Sequence, residues 1–297
     1  MKMNIRTKCP LCNSTNISLY KKGTLDPYIL EAQDFSVTSN KYGLHWTYFS
    51  CRDCSFIFSN PSISNEYAVL IYTAVTDEEY MEEDQQRAKS FQTILHRIKT
   101  LTKSKSILDI GAAGGIFLNL AQQEAFQIQG IEPSHYFVEK AYNHYNISLF
   151  KGTSHSFIDS NKGERFPIIT LLDVIEHVAE PLEFFSQVDL LLEENGLLVI
   201  VTPHIGSFFS RVMRGKWWHM RPGHLNFFTL PSLHYILQKY HIQICKIKRY
   251  SWHFSLYYIL SRLFPSLKQK PSLQKILKKV HLRLPLRDSW EIYARKK

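Results

Sequence analysis

The amino-acid sequence predicts an α/β protein, a doubly wound parallel sheet preceded by a small cysteine-rich β module. Three observations carry that prediction. Short apolar runs alternate with helical periodicity from about 106 to 201, at the lengths of βαβ units. The turn Gly111-Ala112-Ala113-Gly114-Gly115 joins the first of those runs to a helix-like segment. Four of the five cysteines stand in two CxxC pairs within the first 54 residues.

The pairs are Cys9-Pro-Leu-Cys12 and Cys51-Arg-Asp-Cys54. Each spacing lets two thiolates from one tight turn reach the same ion, and two such turns complete a tetrahedral four-thiolate zinc site. A redox dithiol needs a strand–helix context that is missing here. Such a closed site has no open coordination position, so its expected role is to fold the module. His45 to Ser50 alternates as the strand entering the second pair, and a module over about 1–65 follows. Cys245 stands alone and reads as a core residue.

Thr76-x-x-Glu79 reads as a capping box. Phe91, Ile94, Leu95, Ile98 and Leu101 then recur at helical spacing. Strands are expected at Ser106–Ile110, Ile128–Glu132, Ile147–Phe150, Ile168–Leu172 and Leu197–Val201, with Ser134 capping the helix after the second. A helix over Leu182–Leu192 should stop at Asn195-Gly196.

Composition bounds the function. The 297 residues are 44% apolar and 21% charged, ordinary for a globular chain. No apolar run reaches the roughly 18 residues of a membrane span. The N-terminus shows no secretory pattern, so the expected compartment is the cytoplasm. Charge is unevenly placed. Met1 to Glu194 holds 17 Lys and Arg against 24 Asp and Glu, whereas Asn195 to Lys297 holds 19 against 2. A C-terminal third of that kind suits an anionic partner, unless it is only a solvated basic face.

Ligands of doubly wound sheets bind at the carboxyl ends of the strands. Three features fall there. The glycine-rich turn allows close backbone approach, and the next helix N-terminus offers free N–H groups. Glu132 ends the second strand, where a carboxylate accepts two hydrogen bonds from a ribose diol. Asp173 ends the fourth, beside Val174. These features alone fit any nucleoside cofactor, NAD included. The turn discriminates, because an NAD fingerprint has a glycine where this chain has Ala113.

Leu108-Asp109-Ile110-Gly111-Ala112-Ala113-Gly114-Gly115 resembles the first motif of class I S-adenosylmethionine-dependent methyltransferases. Gly130 to Ser134 resembles their second motif, Leu171 to Val178 their strand-four motif, and Asn195 to Pro203 their strand-five region. The resemblance covers about residues 70–297 and is nearest to the ubiquinone-pathway-like group, many of whose members carry an N-terminal four-cysteine module. It implies a Rossmann-like sheet of seven strands with S-adenosylmethionine as cofactor. The site would comprise Asp109, Gly111, Ala112, Ala113, Gly115, Glu132, Pro133, Asp173 and Val174. The chain departs from the group at Ala113, at Pro167, and at Gly152-Thr153-Ser154, which offers no carboxylate for adenine.

Methyl transfer to oxygen or nitrogen can use a base, and histidine suits neutral pH. His177 follows the strand-four motif and His204 lies beyond strand five. His224 lies in Gly223-His224-Leu225-Asn226-Phe227-Phe228-Thr229, which resembles a recurrent HxxxFT stretch of the group. Each is a candidate base or a structural histidine. Ser207 to Pro222, with Phe208, Phe209, Trp217, Trp218 and four cations, reads as a lid or as a packed surface element.

His241–Trp252 and Ser289–Arg295 alternate as strands, which the resemblance makes an antiparallel edge pair. Between them lies an insertion of about 253–287. Its Leu273, Ile276, Leu277, Val280 and Leu284 define a basic amphipathic helix with Lys275, Lys278, Lys279 and Arg283. It reads as a helical pair over the active site, or as a peripheral contact with the inner membrane face that serves a lipid-linked acceptor. The expected function is methylation of a small-molecule acceptor such as a sugar. The rivals are an RNA methyltransferase, disfavoured for want of base-methylation and RNA-binding motifs, and a non-enzymatic zinc scaffold.

Overall fold

A computed structural model describes residues 3–26, 29–39, 41–264, 267 and 271–297. The N-terminal part starts with β1 (Met3–Asn4), followed by β2 (Ile17–Lys21), β3 (Tyr48–Cys51), β4 (Ile57–Ser59) and β5 (Ser62–Ile63). The strand expected at His45–Ser50 is thus shifted toward Cys51. Strands β2, β3 and β4 form an antiparallel meander, and β5 pairs with β1.

Helices α1 (Asn65–Ala74), α2 (Glu78–Glu82) and α3 (Asp84–Leu101) lead to the main sheet. Ser64 caps α1 and Asp77 caps α2, each accepting from the amide of the third residue of its helix, Tyr67 and Tyr80. The expected capping box at Thr76 therefore lies one residue early; the Thr76 hydroxyl accepts instead from Gln33.

The βαβ series runs β6 (Ser106–Ile110), α4 (Ile116–Gln123), β7 (Gln127–Glu132), α5 (His135–Tyr145), β8 (Phe150–Lys151), α6 (Ser154–Ser160), β9 (Phe166–Leu172), α7 (Pro181–Leu191) and β10 (Leu192–Pro203). Ser134 caps α5, as expected. The third strand is shorter than Ile147–Phe150. Asn146 closes α5 in a left-handed conformation, and Ile147 and Leu149 bury their side chains before pairing begins. Strand β10 starts five residues earlier than expected, with a register shift between Leu192 and Leu197 that absorbs Asn195-Gly196.

Beyond β10 come α8 (Phe208–Met213), β11 (Asn226–Phe227), α9 (Leu230–Lys239), β12 (Ile242–Arg249), β13 (Trp252–Ser255), α10 (Leu256–Leu263), α11 (Pro271–Leu277), β14 (His281–Leu284) and β15 (Ser289–Lys296). The seven-stranded sheet has the order β12-β15-β10-β9-β6-β7-β8, with β15 antiparallel to both neighbours. This is the Rossmann-like methyltransferase sheet. Its strand order reverses at β6/β9, where a crevice opens at the carboxyl ends.

Period-two alternation feeds both faces of the sheet. Ile107, Ile168, Val199 and Tyr293 pack under α3 and α4 against Phe91, Ile94 and Phe117. Leu108, Ile169, Ile200 and Ile292 pack against Phe185, Val188 and Leu233 of α7 and α9. Each such aliphatic side chain contributes about 1.5–3 kcal/mol on burial.

The cysteine module is not separated from this body. Its sheet is completed by β11, which pairs with β4, and Cys9, Leu11, Phe56 and Phe58 belong to the same core as Leu108 and Leu198. The expected boundary near 65–70 therefore marks no gap in packing.

The insertion forms a cap. Strands β13 and β14 make a hairpin, with α10 and α11 between them. Residues 265, 266 and 268–270 of that insertion lie outside the described residues. The basic helix expected to run to Leu284 ends at Leu277, because His281–Leu284 finds strand partners in Trp252–Ser255. Periodicity in so short an apolar run does not separate helix from strand. The cap docks on α2 and α3 through acidic residues. Ser255 donates its amide and hydroxyl to Glu83, and Lys278 meets Glu82 at 3.0 Å. No helix among the described residues is long and apolar enough to cross a membrane.

Candidate functional site

The carboxyl ends of β6, β7 and β9 open into one cavity of about 1260 Å³ beneath the cap. A single-ligand pocket holds roughly 300–1,000 Å³, so this one can take two reactants side by side.

One half is built by the turn after β6. Gly111 adopts φ +77°, and an added Cβ would meet Val174 Cγ2 at 2.7 Å, so only glycine fits. Its amide and that of Ala112 both bond the Ile131 carbonyl, tying the turn to β7. Ala113 adopts φ +45°, a left-handed conformation that costs a non-glycine residue about 1–2 kcal/mol. The departure from glycine at this position is thus absorbed as local strain. Gly115, also left-handed, opens α4.

Glu132 is buried at the end of β7. Its Oε2 accepts from the Ala113 amide and its Oε1 from the Ser134 amide, both at 2.8 Å. Burial outweighs those donors and lifts its carboxyl to about 7. Asp173, left-handed at φ +57°, ends β9 facing the same space. Burial lifts it to about 7 as well, against the opposing field of Arg221. Both acids thus favour folding in the protonated form. That contribution is full below their ordinary values of 4.5 and 3.8 and is lost as pH rises to about 7. Gly111, Ala113, Glu132, Pro133, Asp173 and Val174 line the cavity. Asp109, Ala112 and Gly115 lie behind it. Asp109 is buried and accepts from the Thr170 hydroxyl at 2.5 Å, bracing β6 against β9.

The other half gathers titratable groups that sequence reading assigned only in part. His177 Nδ1 lies 2.7 Å from both the Gly223 carbonyl and the Tyr72 hydroxyl. The carbonyl can only accept, so Nδ1 carries the proton and the lone pair sits on Nε2. The His224 ring stands edge-on to His177 at 4.8 Å, and Arg221 Nε donates to His224 Nε2 at 3.2 Å. Burial, and then the Arg221 charge, push His177 down to about 3 and His224 well below its ordinary value, so both are neutral at pH 7. Glu176 is fully buried, accepts from Thr202 on Oε2 at 3.0 Å and has no partner on Oε1 among the described residues. Burial and then the Asp173 charge raise it well above the ordinary carboxyl range. Glu176, His177 and His224 offer ligand atoms within 4.8 Å of one another, close enough to share one divalent cation.

His204 does not join them. It packs on Trp290 with a ring separation of 4.1 Å, and its Nδ1 lies 2.6 Å from Arg249. Strand β10 runs to Pro203 and carries His204 to the β15 side of the sheet, bonded to Asp288 through its backbone. Instead, His219 lines the cavity, 3.4 Å from Asp288, and Trp218 and Trp252 donate their indole N–H groups to that carboxylate. Asp288 is one of only two acids in the basic third of the sequence, which was the available signal. Glu176 was signalled only by its place beside His177. The expected lid divides: Phe209, Lys216, Trp218 and Arg221 face the cavity, Trp217 is core, and Phe208 is exposed.

The four cysteines converge as their spacing predicts. Their sulfurs all lie within 4.8 Å of one another, with Cys9–Cys54 at 3.7 Å and Cys12–Cys51 at 3.5 Å. These separations exceed a disulfide bond and match the ~3.8 Å edge of a tetrahedron with Zn–S of 2.3 Å. After each pair a residue turns left-handed, Asn13 at φ +60° and Ser55 at φ +61°, with its amide bonded to the carbonyl of the first cysteine. The donor set fits zinc. The module also grips the segment that carries His224. Trp46 donates to the Pro222 carbonyl and Tyr48 to the His224 carbonyl, both at 2.7 Å, while the Ser59 amide bonds the Leu225 carbonyl at 2.8 Å.

Comparison with known proteins agrees with this architecture. Residues 81–245 match the methyltransferase domain family. The ubiquinone biosynthesis O-methyltransferase of Azorhizobium caulinodans is 28% identical over 105 residues, 34% of this chain and 41% of that protein. The mitochondrial ubiquinone biosynthesis O-methyltransferase of Schizosaccharomyces pombe is 27% identical over 117 residues, 38% of this chain and 43% of that protein. The chain thus spans about two fifths of the length of these curated relatives. A SAM-dependent methyltransferase from Archaeoglobus fulgidus shares the fold with a TM-score of 0.51 at 18% identity, covering 74% of this chain and all of that one. With more than half of its length matched and the class I sheet in place, the chain belongs to the methyltransferase domain family and has the fold of S-adenosylmethionine-dependent methyltransferases.

Proposed function

We propose that the protein transfers a methyl group from S-adenosylmethionine to a hydroxyl of a small-molecule acceptor, such as a sugar or a phenol, with zinc on Cys9, Cys12, Cys51 and Cys54 holding the fold. The observation that carries this reading is the union, in one cavity, of the Gly111–Ala113 turn and Glu132 with the neutral base His177.

Bound there, S-adenosylmethionine supplies a methyl group on a sulfonium, which attack by the acceptor oxygen converts to S-adenosylhomocysteine. The chain's residues do the rest. The Gly111–Ala113 backbone receives the methionine end, Glu132 accepts from the ribose diol, and Asp173 and Val174 form the floor. His177 Nε2 accepts the hydrogen bond of the acceptor hydroxyl and takes its proton as methylation leaves the oxygen positively charged, when that proton is acidic enough for an imidazole held at about 3, while the Gly223 carbonyl holds the ring in the productive tautomer. His224 has spent its lone pair on Arg221, so it shapes the acceptor pocket beside His177. The cap over the cavity helps fix the line of attack, where alignment is worth effective molarities of order 10⁵ M or more.

The test is label transfer from methyl-labelled S-adenosylmethionine to a panel of sugars and phenols, followed by His177→Ala with an active acceptor. The variant should lose about 10²-fold or more in kcat and leave the KM for S-adenosylmethionine within threefold. Equal kcat would remove His177 from the base role, and absence of transfer to any small molecule would overturn the acceptor class. A second expectation concerns pH. The ribose diol donates to ionised Glu132, and the empty site holds that group at about 7. Affinity for S-adenosylhomocysteine should therefore fall about tenfold from pH 8 to pH 6. Calorimetry at the two pH values checks this, and a flat profile contradicts it.

A lipid-linked acceptor is favoured by one observation. The outer face of the cap exposes Phe264, Ile276 and Val280 beside Lys275 and Lys279, a pattern suited to an anionic bilayer. Co-sedimentation with anionic vesicles, abolished by Lys275→Glu with Lys279→Glu, supports that version; no sedimentation removes it.

A further inference from the structure

Arg262 projects from α10 into the cavity with most of its hydrogen-bonding capacity unused. Its side chain is 9% exposed. Nη2 donates to Glu79 at 2.7 Å and to the Tyr258 hydroxyl at 3.4 Å, while Nε and Nη1 are buried with no partner among the described residues. A buried guanidinium with unpaired N–H groups is costly unless an acceptor arrives. Arg87, which lines the same cavity, shows the same pattern. Its Nη2 meets Asp84 at 3.1 Å, its Nε has no partner among the described residues, and its guanidinium lies 3.4 Å from the Tyr80 ring centre.

These two arginines face a shared surface. Trp252, Phe254 and Tyr258 stack in a ladder along the cap, with ring separations of 5.8 and 5.0 Å. The Arg262 guanidinium lies 4.8 Å from the Tyr258 ring centre. The Tyr258 hydroxyl feels the fields of Arg262, Arg221 and Arg87 together. Tyr80, against whose ring Arg87 packs, also feels the charges of Asp173 and Glu132, which puts Arg87 near the cofactor half. The forked guanidinium matches tetrahedral phosphoryl oxygens better than any point charge.

We infer that Arg262, with Arg87 lining the same cavity, binds a phosphoryl group of the acceptor, so that the enzyme's acceptor is a phosphate or diphosphate ester. The inference rests on the reading of this cavity as a joint cofactor and acceptor site. It also gives the cap a chemical purpose. Glu79 holds the arginine in place, and the ladder beside it forms an apolar wall for the rest of the ester. A cofactor carboxylate is the other group with the same chemistry, and the experiment separates the two.

Inorganic pyrophosphate is titrated calorimetrically into the zinc-loaded protein saturated with S-adenosylhomocysteine, for wild type, Arg262→Gln and Arg262→Lys. The expected result is saturable binding to wild type, at least tenfold weaker in R262Q and intermediate in R262K. Affinity for S-adenosylhomocysteine should stay within twofold in both variants, which also shows that they fold. Absent binding to wild type, or equal pyrophosphate affinity in R262Q, overturns the inference. So does a loss confined to S-adenosylhomocysteine, which would assign Arg262 to the cofactor carboxylate. If S-adenosylhomocysteine does not bind wild type, the cofactor reading itself falls. The pyrophosphate comparison is then made on the empty protein, where loss in R262Q still supports the phosphoryl site and equal affinity still removes it.

Discussion

Replacing Cys51 by serine is expected to remove the metal and with it more than about 100-fold of the activity, although the cysteine is far from the chemistry. Structural zinc in small modules is worth about 10–16 kcal/mol of apparent binding energy, and loss of one thiolate forfeits much of it. The damage spreads through the grip of the module on the segment that carries His224. Trp46, Tyr48 and Ser59 together fix Pro222 to Leu225, and the Leu225 amide in turn bonds the Glu176 carbonyl at 2.8 Å. Both Glu176 and the Gly223 carbonyl that orients His177 hang on that segment. A misplacement of 1 Å there costs about 10²-fold. Metal analysis, a thermal melt and a turnover assay on Cys51→Ser check this. Retained zinc-free activity would show that the module is dispensable to the site.

Glu132→Ala is expected to weaken S-adenosylhomocysteine binding by about 100-fold or more. Two hydrogen bonds from a ribose diol to a charged carboxylate contribute about 1.5–3 kcal/mol each. The substitution also strips the Ala113 and Ser134 amides of their acceptor. That second effect loosens the strained Ala113 turn, so a lowered melting temperature should accompany the loss. Calorimetric titration of the variant, with a thermal melt, measures both. Affinity within threefold of wild type would remove Glu132 from the ribose contact.

The fold was legible where local pattern and packing agree. The strands at Ser106–Ile110 and Ile168–Leu172 are near-continuous apolar runs buried on both faces, and the helix from Phe91 to Leu101 shows one clean apolar stripe. Legibility failed where tertiary partners decided. Nothing local tells Leu282 and Leu284 that Phe254 and Trp252 lie opposite, so a strand was read as helix. The cysteine pairs and the strand-end acids were visible because their chemistry demands fixed spacing. The acceptor half was not, because Tyr72, Arg87, His219, Arg262 and Asp288 come from segments spread over more than 200 residues. Only folding brings them to one cavity. Of the two readings offered for His204, the structure takes the structural one, because proximity to strand five in sequence does not reveal which side of the sheet the strand end faces.

The most direct test of the account is a crystal structure of the zinc-loaded protein with S-adenosylhomocysteine. The prediction is a nucleoside at the β6/β7 crevice, its ribose diol on the two oxygens of Glu132, its homocysteine end over Gly111 to Ala113, and its sulfur turned toward His177. A nucleoside bound elsewhere, or a sulfur turned away from the Glu176–His177–His224 cluster, would contradict it.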